Sequence, residues 1–184
     1  MDEFIDYCKA NPGKVTVGCA GLGDASGMAA YSVCNALGLE IELVPFNGGA
    51  DSMANCVGGH VDAVVVPAGV AVPQAKEGNV ITLLECGGIQ ENGLSVPTVN
   101  DIGIPEANVL FYRILMAPSD TPTEIVELLR ETFAELMTDE EYVQTCEEMS
   151  DPVLNSFLYD SLNEQFKADY AKYTELVEVL GIGA

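Results

Sequence analysis

A chain of 184 residues with 48% hydrophobic and 20% charged side chains can bury a core, enough for one domain or one and a half, and is too apolar for disorder. Seven basic residues against twenty-nine acidic ones leave a net charge of −22, which opposes approach to nucleic acid and to anionic membrane surfaces. No run nears the roughly eighteen apolar residues of a membrane span, and the acidic start Met1-Asp-Glu-Phe-Ile-Asp lacks the basic residues and apolar stretch of a secretory leader.

In chain order, residues 3–10 read as a short helix stopped by Asn11-Pro12-Gly13, and Val15–Gly18 as a short strand. Ala25–Leu37 form a helix with small residues on one face and Gly38 as its C-terminal stop. Ile41–Pro45 give a second strand, and Asp51–Val57 a helix ended by Gly58-Gly59. The β-branched run Asp62–Val66 suits a strand covered on both faces; Pro67–Glu77 is a helix and Val80–Leu84 a further strand. This alternation predicts a mostly parallel sheet with helices on both sides.

Regularity fades between Cys86 and Asn108, a stretch rich in Gly, Asn and Pro that suits a linker or hinge, and Phe111–Met116 reads as one more strand. Beyond Ala117-Pro118 the chain turns helical. Thr121 or Thr123 caps a helix reaching Met137, and Thr138, with Glu141 three residues on, caps another running to Met149. Asn155–Leu180 hold a long amphipathic helix whose stripe of Phe157, Leu158, Leu162, Phe166, Tyr170, Tyr173, Leu176 and Leu180 reads as a packing face. Residues 119–184 carry 16 acids and 3 bases, against 13 and 4 in residues 1–118, so the acidic excess coats mainly these helices.

The segment Val15–Ser26 passes from buried strand through Cys19-Ala20-Gly21-Leu22-Gly23-Asp24 into a helix, and Pro45-Phe46-Asn47-Gly48-Gly49-Ala50 repeats the design after the second strand. Each such turn leaves backbone N–H groups at the positive end of a helix dipole, where a carboxylate or phosphate is stabilised. A dinucleotide fingerprint is not met, because the glycine after Gly21 and Gly23 falls at Gly27, one position late, and Pro45-Phe46-Asn47 replaces the acid expected at the end of the second strand. Cys19 sits where a helix start could lower its pKa, yet a nucleophile needs a base, and His60 in a Gly-Gly-His surface turn is the one histidine. Cys8, Cys19, Cys34, Cys56, Cys86 and Cys146 form no C-x-x-C, so no metal or cofactor is expected and free thiols in a reducing setting are. Asp24 reads as a helix cap, Asp62 as a backbone partner, and Arg113 as either a salt-bridge partner or an orienting group at the cleft.

Several motifs follow in order: Lys9–Gly18, Ala20-Gly21-Leu22-Gly23, Val44-Pro45-Phe46 with Gly48, Gly58-Gly59-His60-Val61-Asp62, Val96-Pro97-Thr98-Val99 with Asp101 and Gly103, and Tyr112-Arg113 before Ala117-Pro118 and Thr121-Pro122. Together they resemble the substrate-binding receptors of tripartite tricarboxylate transporters, the Bug-type extracytoplasmic solute receptors, from about residue 3 to the C-terminus. The resemblance implies an α/β fold of the periplasmic-binding-protein type II class: a lobe with a mostly parallel sheet at residues 1–100, then a crossover strand and helices at 101–184 belonging to an incomplete first lobe. It implies a non-catalytic receptor that holds a small carboxylate-bearing or amino-acid-like molecule, lobe closure being read by membrane permease subunits. The carried-over ligand residues are Cys19, Ala20, Gly21, Gly23, Asp24, Ala25, Ser26, Phe46, Asn47, Gly48, Gly49 and Ala50. Where relatives commonly have Ser and Lys, this chain has Asp24 and Asn47, which disfavours a dianionic or trianionic ligand. An extracytoplasmic location follows from the resemblance, with a cytoplasmic one as the alternative. The alternatives to an independent receptor are a fragment that pairs with itself or with a complementing N-terminal half, and a Rossmann-type nucleotide-binding enzyme.

Overall fold

The computed structural model describes residues 1–87, 95–111, 114–149, 153 and 160–180. The elements run α1 (Asp2–Ala10), β1 (Val15–Cys19), α2 (Ala25–Ala36), β2 (Ile41–Pro45), α3 (Gly49–Val57), β3 (Ala63–Val64) and α4 (Ala68–Lys76). A 3₁₀ turn at Pro105–Ala107 then precedes α5 (Thr123–Leu136), α6 (Glu140–Glu148) and α7 (Asp160–Leu180).

The three strands form one parallel sheet in the order β2-β1-β3. β1 pairs with β2 from Val15 opposite Ile41 to Cys19 opposite Pro45, and with β3 at Val17–Ala63 and Gly18–Val64. Because the chain crosses from β1 to β2 on one side and returns past β1 to β3 on the other, right-handed connections place α2 and α3 on opposite faces. The pleat agrees. Val15 packs with Cys8, Cys34 and Leu39 under α1 and α2. Gly18, of opposite parity, faces α3, where an added Cβ would lie 2.8 Å from Ser52 Oγ.

The small residues of α2 let it sink into the middle of the molecule, with Ser26 to Ala30 and Ser32 to Cys34 all buried. Val33 packs with Val99, Ile104 and Ala107, while Met28 and Ala29 pack with Val109 and, from α7, Tyr173 and Val177. Lys172 Nζ donates to the carbonyl oxygen of Asn108, a second tie between α7 and the segment after the 3₁₀ turn. Of the aromatic stripe expected along the last helix, Tyr173 is half-buried, whereas Phe166 and Tyr170 are exposed. Phe157 and Leu158 lie outside the described residues.

Three helices end alike. Gly38, Gly59 and Gly78 have φ of 64°, 72° and 77°, and the residue after each donates to a carbonyl five positions back: Leu39 to Cys34, His60 to Asn55, Asn79 to Gln74. A positive φ closes the last turn, and glycine adopts it without a Cβ penalty.

Two expected features differ. Val80–Leu84 is not a strand; only Glu85, just beyond, forms an isolated parallel bridge with Thr98. β3 is two residues long, so a neighbour would find almost no ladder to extend, and Ile81 is 87% exposed. The described part of Phe111–Met116 likewise forms no strand, with Phe111, Leu115 and Met116 exposed; Tyr112 and Arg113 fall outside the described residues. β-Branched and aromatic content marks strand propensity, but a strand needs a partner.

Candidate functional site

The parallel sheet brings the two glycine-rich turns together. Phe46 N donates to Cys19 O at 2.9 Å, continuing the ladder one step past Pro45, so both turns leave the carboxyl edge of the sheet from adjacent strands. In a 2-1-3 order the connections diverge between β1 and β3, and a crevice forms there outside the strand ends. A cavity of about 1330 Å³ opens at that place, lined by Ala20, Asp24 and Ser26 after β1, Gly49 at the start of α3, and Val65 to Pro67 after β3. It continues along Phe111, Leu115 and Met116 to α5, α6 and α7.

The first turn is held by its own polar groups. Asp24 caps α2: its Oδ1 accepts from Gly27 N at 2.9 Å and from Ser26 Oγ at 2.7 Å. Ser26 Oγ in turn accepts from Ala20 N at 2.8 Å. A Cβ at Gly27 would stand 2.3 Å from Gly21 O, so this position must be glycine for the turn to fold back over the helix start. The glycine that spoils the dinucleotide fingerprint therefore has a structural reason.

The second turn is built differently. Gly48, with φ 116°, precedes α3 and offers no side-chain cap, leaving first-turn N–H groups without an intrahelical acceptor. Asn47 N donates to Asp51 Oδ2 at 3.2 Å, and Asn55 Nδ2 donates to Asp51 O at 2.9 Å.

Of the twelve candidate residues, Ala20, Asp24, Ala25, Ser26 and Gly49 line the cavity. Cys19 is fully buried behind the turn, and its thiol donates to Val44 O at 3.8 Å. Its pKa is raised, first by burial and then by the Asp24 charge, which corrects the expectation of a lowered value at a helix start. Gly21, Gly23, Phe46, Asn47 and Gly48 belong to the two turns without lining the cavity, and Ala50 lines a separate smaller one of about 370 Å³ beside Met53 and Val70. Sequence reasoning missed the far wall, Val65 to Pro67 and the apolar surface of α5; no motif marks those positions. Thr121 and Thr123 do not cap α5, which follows Pro122, and Asp139 rather than Thr138 caps α6, accepting from Tyr142 N at 2.9 Å.

Outside the cavity, Asp62 Oδ2 accepts from both Thr16 N (2.9 Å) and Thr16 Oγ1 (2.7 Å), and these bonds hold its carboxyl below the usual carboxylate range. His60 is exposed in the turn after α3. No cluster of three metal-ligating side chains occurs among the described residues.

Residues 1–181 match the family profile described as "Tripartite tricarboxylate transporter family receptor". A Cupriavidus necator relative, the UPF0065 protein in the gbd 5' region, is 30% identical over 187 residues, which is 99% of this chain and 55% of the relative. A solved TctC solute binding protein from Polaromonas is 25% identical with a TM-score of 0.79, covering 96% of this chain and 60% of that one. R. palustris Rpa4515 with adipate, 21% identical, superposes with a TM-score of 0.79 over 98% of this chain and 60% of its own. The chain spans about half the length of the curated relatives it matches. Its α/β architecture is that of the periplasmic binding proteins. By profile and by fold, the chain belongs to the tripartite tricarboxylate transporter receptor family.

Proposed function

We propose that this chain is the ligand-seating part of a non-catalytic solute receptor. It takes a small carboxylate-bearing molecule at the carboxyl edge of its sheet, on backbone N–H groups of the turns after β1 and β2. The observation that carries the reading is the joining of these turns by Phe46 N and Cys19 O, with Ala20, Asp24 and Ser26 of the first and Gly49 beyond the second lining one cavity. Amides fixed at helix starts bind an anion without reorganising, which suits a carboxylate in a protein whose cavity lining is otherwise mostly apolar. Cys19 supports the non-catalytic part: its thiol is buried, held protonated, and has Val44 O rather than a base as its partner.

In this reading residues 1–100 form the ligand-bearing lobe and residues 101–184 the crossover and helices of the other. The protein works outside the cytoplasm, and permease subunits read its occupancy. Calorimetry against mono-, di- and tricarboxylates and amino acids tests it. Because only Ala20, Asp24, Ala25, Ser26 and Gly49 of the two turns reach the cavity, binding no tighter than micromolar is expected; absence of any binding, or saturable nucleotide binding instead, would overturn the reading.

One observation favours a second reading, a surface completed by another polypeptide. The cavity exceeds the roughly 300–1,000 Å³ of small-molecule sites, and its outer part is apolar and open. Leu115, Met116 and Leu129, which line it, are 67%, 77% and 38% exposed, and α5 buries none of its residues. A contiguous apolar face of this kind marks an association surface, for a second copy or a complementing N-terminal half. Light scattering over a concentration series tests it, and a monomer at all concentrations would remove the self-association branch.

A further inference from the structure

Among the described residues three charged side chains line the cavity: Asp24, Glu85 and Arg130. Arg130 lies on α5, and its guanidinium already donates to Glu127 at 3.0 Å. The two carboxylates therefore dominate the lining, in a chain whose net charge is −22. Asp24 is the one set into a ligand turn. It accepts from Gly27 N and Ser26 Oγ, and Ser26 Oγ takes Ala20 N, so two donors of the first turn serve this internal anion directly and a third is tied up through Ser26. The positive end of α2 is thereby largely offset before any ligand arrives. The start of α3 differs, since Gly48 brings no side-chain cap and Gly49 opens directly on the cavity, while the first-turn carboxylate of Asp51 takes the Asn47 amide ahead of the helix and does not line the cavity.

We infer that Asp24 sets the charge class of the ligand. A carboxylate is seated at the start of α3, and the part of the ligand facing Asp24 carries a positive charge, so the site takes zwitterionic amino acids and turns away dicarboxylates. This inference rests on the receptor reading above. Two like charges about 4 Å apart at a partly wet site repel strongly enough to separate the two ligand classes by tenfold or more. Swapping a carboxylate for an ammonium turns that repulsion into attraction at little change in length.

The test compares succinate with 4-aminobutyrate by calorimetry and by chemical-shift titration, using the whole chain. The native protein is expected to favour 4-aminobutyrate by about tenfold or more. Asp24→Asn keeps an oxygen for Gly27 N, and asparagine caps helices as well as aspartate does, so the fold survives while the charge goes. This variant is expected to lose or invert the preference. Asp6→Asn removes an equal charge from the exposed face of α1, away from the cavity and both turns, and is expected to leave the preference as it was. Equal affinity for the two probes, a preference for succinate, or the same shift from Asp6→Asn as from Asp24→Asn would overturn the assignment to Asp24 while leaving the receptor reading in place. Binding of neither probe, with amino acids and dicarboxylates of other lengths also silent, overturns both.

Discussion

Gly27 carries the first turn more than any other side-chain position, because the carbonyls of Gly21 and Leu22 occupy the space a Cβ would need. Gly27→Ala is expected to destabilise the protein by about 2 kcal/mol or more, since backbone cannot yield as a flexible side chain does; urea unfolding measures this. Asp62 gives the molecule an acid-sensitive bond. The Thr16 amide and hydroxyl stabilise its ionised form in the folded chain, so its contribution is present at neutral pH and is lost as pH falls through its lowered range. Asp62→Asn should make the fall in denaturation midpoint between neutral pH and about pH 3 shallower; an unchanged slope would show that other carboxylates set it. Burial pushes the thiols of Cys34 and Cys86 up to about 12. Both should resist a thiol reagent at about pH 8 until the protein is unfolded, because only the thiolate reacts.

At the level of elements, what was legible depended on how local the signal was. Gly38 and Gly58-Gly59 ended their helices where expected because a positive φ is decided within a few residues, and the two turns were found because strand, glycine and helix start are contiguous. Val80–Leu84 misled because a strand is defined by its neighbour, and β3 offers two residues of ladder. Asp24 was readable as a cap from its place before the helix; that it also faces a cavity was not, since that depends on where Val65 to Pro67 return. Gly38→Ala should cost about 1 kcal/mol through its φ of 64°, seen as a lower melting temperature. The helices also differ in cover. α2 is buried over most of its length, while α5 and α6 bury no residue. Amide exchange should therefore be slowest in α2 and faster throughout α5 and α6, whose local opening exposes little new apolar surface; equal protection would mean that something covers those helices in solution.

For the whole molecule two tendencies oppose each other. Exposed Leu115, Met116, Leu128 and Tyr170 favour association, while a net charge of −22 holds copies apart. Salt screens the second without weakening the first, so added sodium chloride should raise the associated fraction in sedimentation. A fall with salt would mean that charge pairs, not apolar contact, join the copies.

The place where α3 crosses the central strand also separates two kinds of freedom. At Gly18 a methyl group would press on Ser52 Oγ of the helix at 2.8 Å, whatever the protein binds, so that position answers to packing. Asp24 and Ser26 line the cavity, and under the proposed function they are the positions that answer to the solute. A designer wishing to give this scaffold a different taste could rewrite those two positions and would gain nothing by touching the glycine beneath them.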